Sequence, residues 1–139
     1  LETEANGIIV FDASIGDIGL LKHPLKVSVQ KGRITKFESD DKELVKRITE
    51  LTNIDEDAKV IGELGIGVNP GARITGNMLE DEKSLGTAHI AFGNNADFPG
   101  GGKNHSKIHR DFLFYKPTIE VSYAEGKSKV LMKHGEFNF

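Results

Sequence analysis

Ile108–Tyr115 reads IHRDFLFY. Successive side chains of a strand point to opposite faces, so His109 and Asp111 project together while Phe112 and Phe114 project the other way. The stretch predicts a strand with one apolar face turned to a core and one face carrying a His-x-Asp pair. Thr87–Phe92 (TAHIAF) repeats the arrangement. His89 lies opposite Ile90 and Phe92, and its own face continues with Ala91 and Gly93. Within Lys59–Val68 (KVIGELGIGV), Glu63 lies opposite Leu64 and Ile66, with Gly65 and Gly67 on its own face. Each of these strands pairs an apolar face with a face of ligand-type and small residues. Small neighbours leave room for an ion and a substrate.

Outward from this core, the chain supplies hairpins and one clear helix. Gly7–Phe11 (GIIVF) reads as a buried strand. Leu25–Phe37 alternates apolar and polar residues on both sides of Lys31-Gly32, the pattern of a hairpin. Ser39–Asn53 reads as a helix with Leu44, Ile48 and Leu51 on one face and Val45 beside them. Asp40 is its expected N-cap, with Glu43 completing a capping box. Pro70-Gly71 marks a turn, and Asn77–Ser84 suits a loop or one short helical turn. Gly93–Ser106 is rich in Gly and Asn and reads as a long flexible loop, a lid over the site. Thr118–Tyr123 and Ser128–Met132 flank Glu125-Gly126 as a terminal hairpin. Hairpins dominate over strand–helix–strand units. The expected class is α+β, a largely antiparallel mixed sheet with one clear helix and a long Gly-rich loop. The 139 residues are read as a single domain.

Composition narrows the function. The net charge is -3, without the basic surplus of a nucleic-acid binder. No apolar run approaches the roughly 20 residues that cross a bilayer. No secretory signal is visible, and a cytoplasmic protein is the expectation. Cysteine is absent, which removes disulfides, a thiol nucleophile and every thiolate metal site. A metal would have to be held by His, Asp, Glu or backbone oxygen, ligands that suit zinc, manganese, cobalt or non-haem iron. The Cα atoms of a His-x-Asp pair sit roughly 6.5–7 Å apart by strand rise. Side chains of that reach can converge on one ion at about 2 Å.

Other features carry less. GIGVNPG has the wrong spacing for a dinucleotide loop. GGGKN lacks the Ser or Thr of a phosphate loop, because Asn104 stands there. His105 is expected to face solvent, and Arg73 to pair with an exposed acid.

Gly62–Val121 resembles the metal-binding half of the thermophilic metallo-aminopeptidase family, the aminopeptidase T and aminopeptidase S type, which is leucyl aminopeptidase-like. The residues that carry the likeness are ELGIGVNPGARITGNMLEDEKSLGTAHIAFGNN and IHRDFLFYKPTIEV. The earlier NGIIVFDASIGDIG and the hairpin around KGRI extend it. The resemblance implies a metal-dependent aminopeptidase-like hydrolase with a peptide substrate and two divalent ions, zinc, cobalt or manganese. Its implied ligands are Glu63, a candidate bridge between the ions, with Glu82, His89, His109 and Asp111. Glu63 and Glu82 are the implied catalytic carboxylates. Glu80 stands close enough to Glu82 to share that assignment.

Two departures accompany the likeness. The family has a further Glu ligand in a GEV-type motif upstream of a segment like NGIIVFDAS, and none precedes Gly7 here. The chain also starts without Met, and is read as the C-terminal metal-binding portion of a longer protein. Some family members place a Tyr near the position of Ala96, where this loop reads GNNADFPGGG. Two other readings stand beside the hydrolase. His89, His109 and Asp111 could form the two-His-one-carboxylate triad of a mononuclear iron dioxygenase, and ring-cleaving dihydroxypyridine dioxygenases resemble the same superfamily. The chain could also be a non-catalytic structural domain with an incomplete metal site, forming a homodimer through exposed strand edges.

Overall fold

Three antiparallel sheets organise the chain, seen in a computed structural model that describes residues 2–138. The first contains β1 (Gly7–Phe11), β4 (Leu25–Gln30) and β5 (Arg33–Glu38), in the order β1-β4-β5. The second contains β2 (Ser14–Ile15), β3 (Gly19–Leu20), β6 (Ile61–Ile66), β7 (Thr87–Gly93) and β8 (His109–Tyr115), in the order β3-β2-β8-β7-β6. The third contains β9 (Ile119–Ser122), β10 (Ser128–Lys133) and β11 (Glu136–Phe137), in the order β11-β10-β9. All pairings between these strands are antiparallel. A parallel bridge, Asn69 to Ser84, lies outside them. With α1 (Lys42–Thr52) and the single-turn α2 (Met78–Asp81), the fold is α+β.

The β4–β5 hairpin turns at Lys31 and Gly32, which both take positive φ, 50° and 75°. Two such residues match the twist of the flanking strands. Helix α1 is capped by Asp41, whose carboxylate accepts the Leu44 N–H at 3.0 Å. The cap is thus one residue later than Asp40, and a box with Glu43 does not form. The helix buries Leu44, Ile48 and Thr52, with Leu51 half-buried. Thr52 tolerates burial because its hydroxyl donates to the Ile48 carbonyl at 2.8 Å.

The apolar faces read from the sequence meet in the core. Phe112 lies with its ring centroid 5.2 Å from Phe11 and 5.1 Å from Phe92. Phe114 stands edge-on to Phe11 at 5.7 Å. Strand β1 is not buried as a whole. Phe11 and the partly buried Ile9 face the core, while Ile8 and Val10 on the other side are exposed. A strand at the edge of its sheet, covered on one face, leaves the other to solvent.

The loop after β7 is tied down at both ends. Asn95 Oδ1 accepts the Asn104 N–H at 3.0 Å, and Asn104 Nδ2 donates to the Ile61 carbonyl at 3.0 Å. Asp57 and Asp55 accept the N–H groups of His105 and Lys107 at 2.9 and 2.8 Å. The first two bonds satisfy the buried Asn95 and Asn104, and together the four tie both ends of the loop down, while residues 97–101 between them are exposed. No helix among the described residues is long and apolar enough to cross a membrane.

Candidate metal centre

Strand register assembles the site. Glu63 of β6, Ala91 of β7 and Asp111 of β8 form one row across three strands. Gly65, His89 and Leu113 form another, and His109 stands opposite Gly93. Residues two apart along a strand share a face, so Glu63, His89, His109 and Asp111 all project to one side. Ala91 and the glycines leave the space between them open.

Glu82 arrives from outside the sheet, immediately after α2. Its neighbour Asp81 is fully buried. The Asp81 carboxylate accepts from Ser14 Oγ at 2.7 Å, the Thr75 N–H at 2.7 Å and the Gly76 N–H at 3.0 Å. A buried carboxylate satisfied by so many donors is a rigid anchor. It fastens α2 to β2 and to the preceding turn, and thereby sets where Glu82 points. Glu80 serves another purpose, accepting the Arg73 N–H at 3.1 Å. Among the described residues the Arg73 side chain makes no ion pair, so the expected surface pairing is absent.

The five side chains named from sequence fall into two groups that share a member. Glu63, His109 and Asp111 form one, and Glu82, His89 and Asp111 the other, each with ligand atoms within 4.8 Å of one another. Glu63 reaches both imidazoles: Oε1 lies 3.5 Å from His89 Nε2 and Oε2 lies 3.1 Å from His109 Nε2. Asp111 Oδ1 lies 3.8 Å from His89 Nε2 and 3.5 Å from His109 Nε2. His105 stays outside the groups, exposed in the loop.

The sequence profile of the thermophilic metalloprotease family (M29) matches residues 1–137. The chain belongs to the thermophilic metalloproteases. Among solved structures it is similar to the 2,5-dihydroxypyridine dioxygenase of Pseudomonas putida KT2440, with 21% identity and a TM-score of 0.77, covering 99% of this chain and 41% of that one. It is also similar to wild-type AmpT from Thermus thermophilus, with 22% identity and a TM-score of 0.74, covering 98% of this chain and 37% of that one. At these identities the likeness is one of fold. The chain spans about two fifths of the length of those structures. No curated protein matches it significantly.

The donor set fits a divalent ion. Tetrahedral ligands about 2.0–2.1 Å from a metal lie roughly 3.4 Å from each other, and the imidazole–carboxylate separations of 3.1 to 3.8 Å bracket that value. Asp111 Oδ1 is buried without a hydrogen-bond partner in the protein, an acceptor that the fold alone leaves unsatisfied. Asn94 supplies outer support that the sequence did not signal. Its carbonyl accepts from His109 Nδ1 at 2.7 Å, which fixes the ring and turns Nε2 toward the carboxylates.

Without metal, a proton takes the cation's place. His109 is raised from 6.5 to about 9, chiefly by contact with the Asp111 carboxylate. Burial opposes the shift, while the Asn94 carbonyl and Glu63 add to it. The charged ring therefore stabilises the metal-free fold fully below about pH 6.5, and that contribution is lost as pH rises toward 9. We expect the melting temperature of zinc-free protein to fall over this window, and His109→Gln to flatten that slope. We also expect zinc binding at pH 7.5 to release about one proton from His109, measured as a buffer-dependent enthalpy in calorimetry. Binding enthalpies equal in buffers of different ionisation heat would contradict it.

Proposed function

We propose that this thermophilic metalloprotease is a metal-dependent aminopeptidase that uses two divalent ions to release N-terminal residues from peptides. The observation that carries the reading is the pair of ligand groups, built on one sheet face and completed by Glu82 just after α2, with Asp111 common to both. We propose Glu63, Glu82, His89, His109 and Asp111 as the ligands, with Glu63 and Asp111 placed to span the two positions. The match across about two fifths of the similar structures supports a further proposal, that the chain is the metal-binding portion of a longer protein.

Divalent ions at such a site supply a Lewis acid for the scissile carbonyl and make a water acidic enough to attack near neutral pH. The chain's own groups do the rest. Glu63 and Glu82 both line two clefts, each of about 430 Å³. A carboxylate oxygen facing the cleft can accept the proton of the attacking water and return it to the leaving amine as the C–N bond breaks. Asn94 keeps His109 oriented throughout.

A second reading has its own observation. His89 and His109 both turn Nε2 toward Asp111 Oδ1, and two imidazoles with one carboxylate suit mononuclear iron and dioxygenase chemistry. Elemental analysis after reconstitution with zinc, cobalt, manganese or anaerobic ferrous iron separates the two. Near two hydrolytic metals per chain, with release of N-terminal residues from a peptide, supports the aminopeptidase. A single iron held in preference to the others favours the oxygenase, and no bound metal sinks both.

A further inference from the structure

The cleft beside His109 is lined by the carboxylates of Glu63, Glu82, Asp97 and Asp111. Three of these belong to the ligand groups, and Asp97 belongs to neither. Its Oδ2 accepts from Asn94 Nδ2 at 2.6 Å. The backbone carbonyl of the same Asn94 accepts from His109 Nδ1. One residue therefore orients both a candidate ligand and Asp97, and ties the position of one to the other. Phe98, next in the chain, stands edge-on to the His109 ring at 5.4 Å. The loop that carries them is pinned through Asn95 and Asn104.

Among the described residues no Lys or Arg side chain pairs with Asp97. Glu63, Glu82 and Asp111 are the carboxylates of the two ligand groups, and Asp97 stands outside both. Asp97 is then an exposed carboxylate lining the cleft, held by Asn94 and, among the described residues, without a Lys or Arg partner. A primary ammonium is the complementary group, because it forms short charge-assisted hydrogen bonds with carboxylate oxygens. We propose that Asp97 receives the α-ammonium group of the substrate's first residue and so restricts the site to peptides with a free amino terminus. This rests on the peptidase reading above and assigns its specificity to one side chain.

The test measures binding of leucinamide and N-acetyl-leucinamide to the zinc-loaded full chain, for wild type, Asp97→Asn and Asp97→Glu. Wild type is expected to bind the free amine at least about tenfold more tightly than the blocked one, the scale of one hydrogen bond to a charged group. Asp97→Asn should lose that preference at unchanged zinc content, and Asp97→Glu should recover part of it. With peptide substrates, Asp97→Asn should raise KM more than it lowers kcat. An Asn variant that keeps the preference overturns the proposal and gives the ammonium to the metal instead, and a wild type without preference overturns it outright. If the preference depends on Asp97 but no peptide is cleaved, the ammonium site stands and the hydrolase reading fails.

Discussion

Asp111→Asn is expected to lower zinc affinity at both positions by more than about 100-fold, since loss of an outer-shell partner alone costs about 10–100-fold and Asp111 belongs to both ligand groups. The asparagine preserves volume in a position that is nearly buried, where the side chain is 12% exposed, so the fold should survive. Two comparisons distinguish the loss of a shared ligand from general damage to the protein. First, Glu82→Gln should weaken only the position that contains Glu82 and His89, leaving zinc at the position of Glu63 and His109. Second, the metal-free Asp111→Asn protein should lose the main cause of the raised His109 pKa, so the ring should titrate closer to its ordinary value. Elemental analysis and an NMR titration of His109 measure both. Asp111→Asn protein that still holds two zinc ions at wild-type affinity would remove Asp111 from the ligand set.

Gly65→Ala is expected to eliminate the position that contains His89 while adding a single methyl group. A Cβ built on Gly65 would lie 2.1 Å from both Cε1 and Nε2 of His89. Gly65 and His89 are direct partners across β6 and β7, so the methyl would occupy the space of the ring. The imidazole must then swing away, and the Glu82–His89–Asp111 group loses its nitrogen ligand. Overpacking of this kind costs about 1–3 kcal/mol, small enough for the protein to remain folded. We expect zinc content to fall by one ion per chain, with the visible spectrum of the cobalt-loaded protein changed to match. Wild-type zinc content in folded Gly65→Ala would show that His89 ligates from another rotamer or does not ligate.

The division between local and long-range information accounts for what the sequence alone could establish. Alternation along a strand is set by backbone geometry within a few residues, so IHRDFLFY determined that His109 and Asp111 share a face opposite Phe112. The same logic placed His89 and Glu63 opposite their apolar neighbours, and Lys31-Gly32 at a hairpin. It failed over short distances where near-equal residues compete, as with Asp40 and Asp41 at the start of α1, and where an unbroken apolar run hid an exposed face, as with Ile8 and Val10 of β1.

Tertiary structure alone decided how these faces combine. The row Glu63–Ala91–Asp111 depends on the pairing of three strands brought together from separate parts of the chain. The choice of Glu82 over Glu80 depends on the cradle around Asp81, one of whose donors, Ser14, lies 67 positions away. Within EDEK, Asp81 looks like any solvated acid, because the N–H groups of Thr75 and Gly76 reach it only once the turn before α2 has formed and Ser14 comes from far along the chain. The same holds for Asn94, whose neighbours show nothing of the imidazole it orients. The sequence determined the residue types and the face each strand presents. Register and long-range hydrogen bonds, which follow from burying the whole core at once, decided which of them meet.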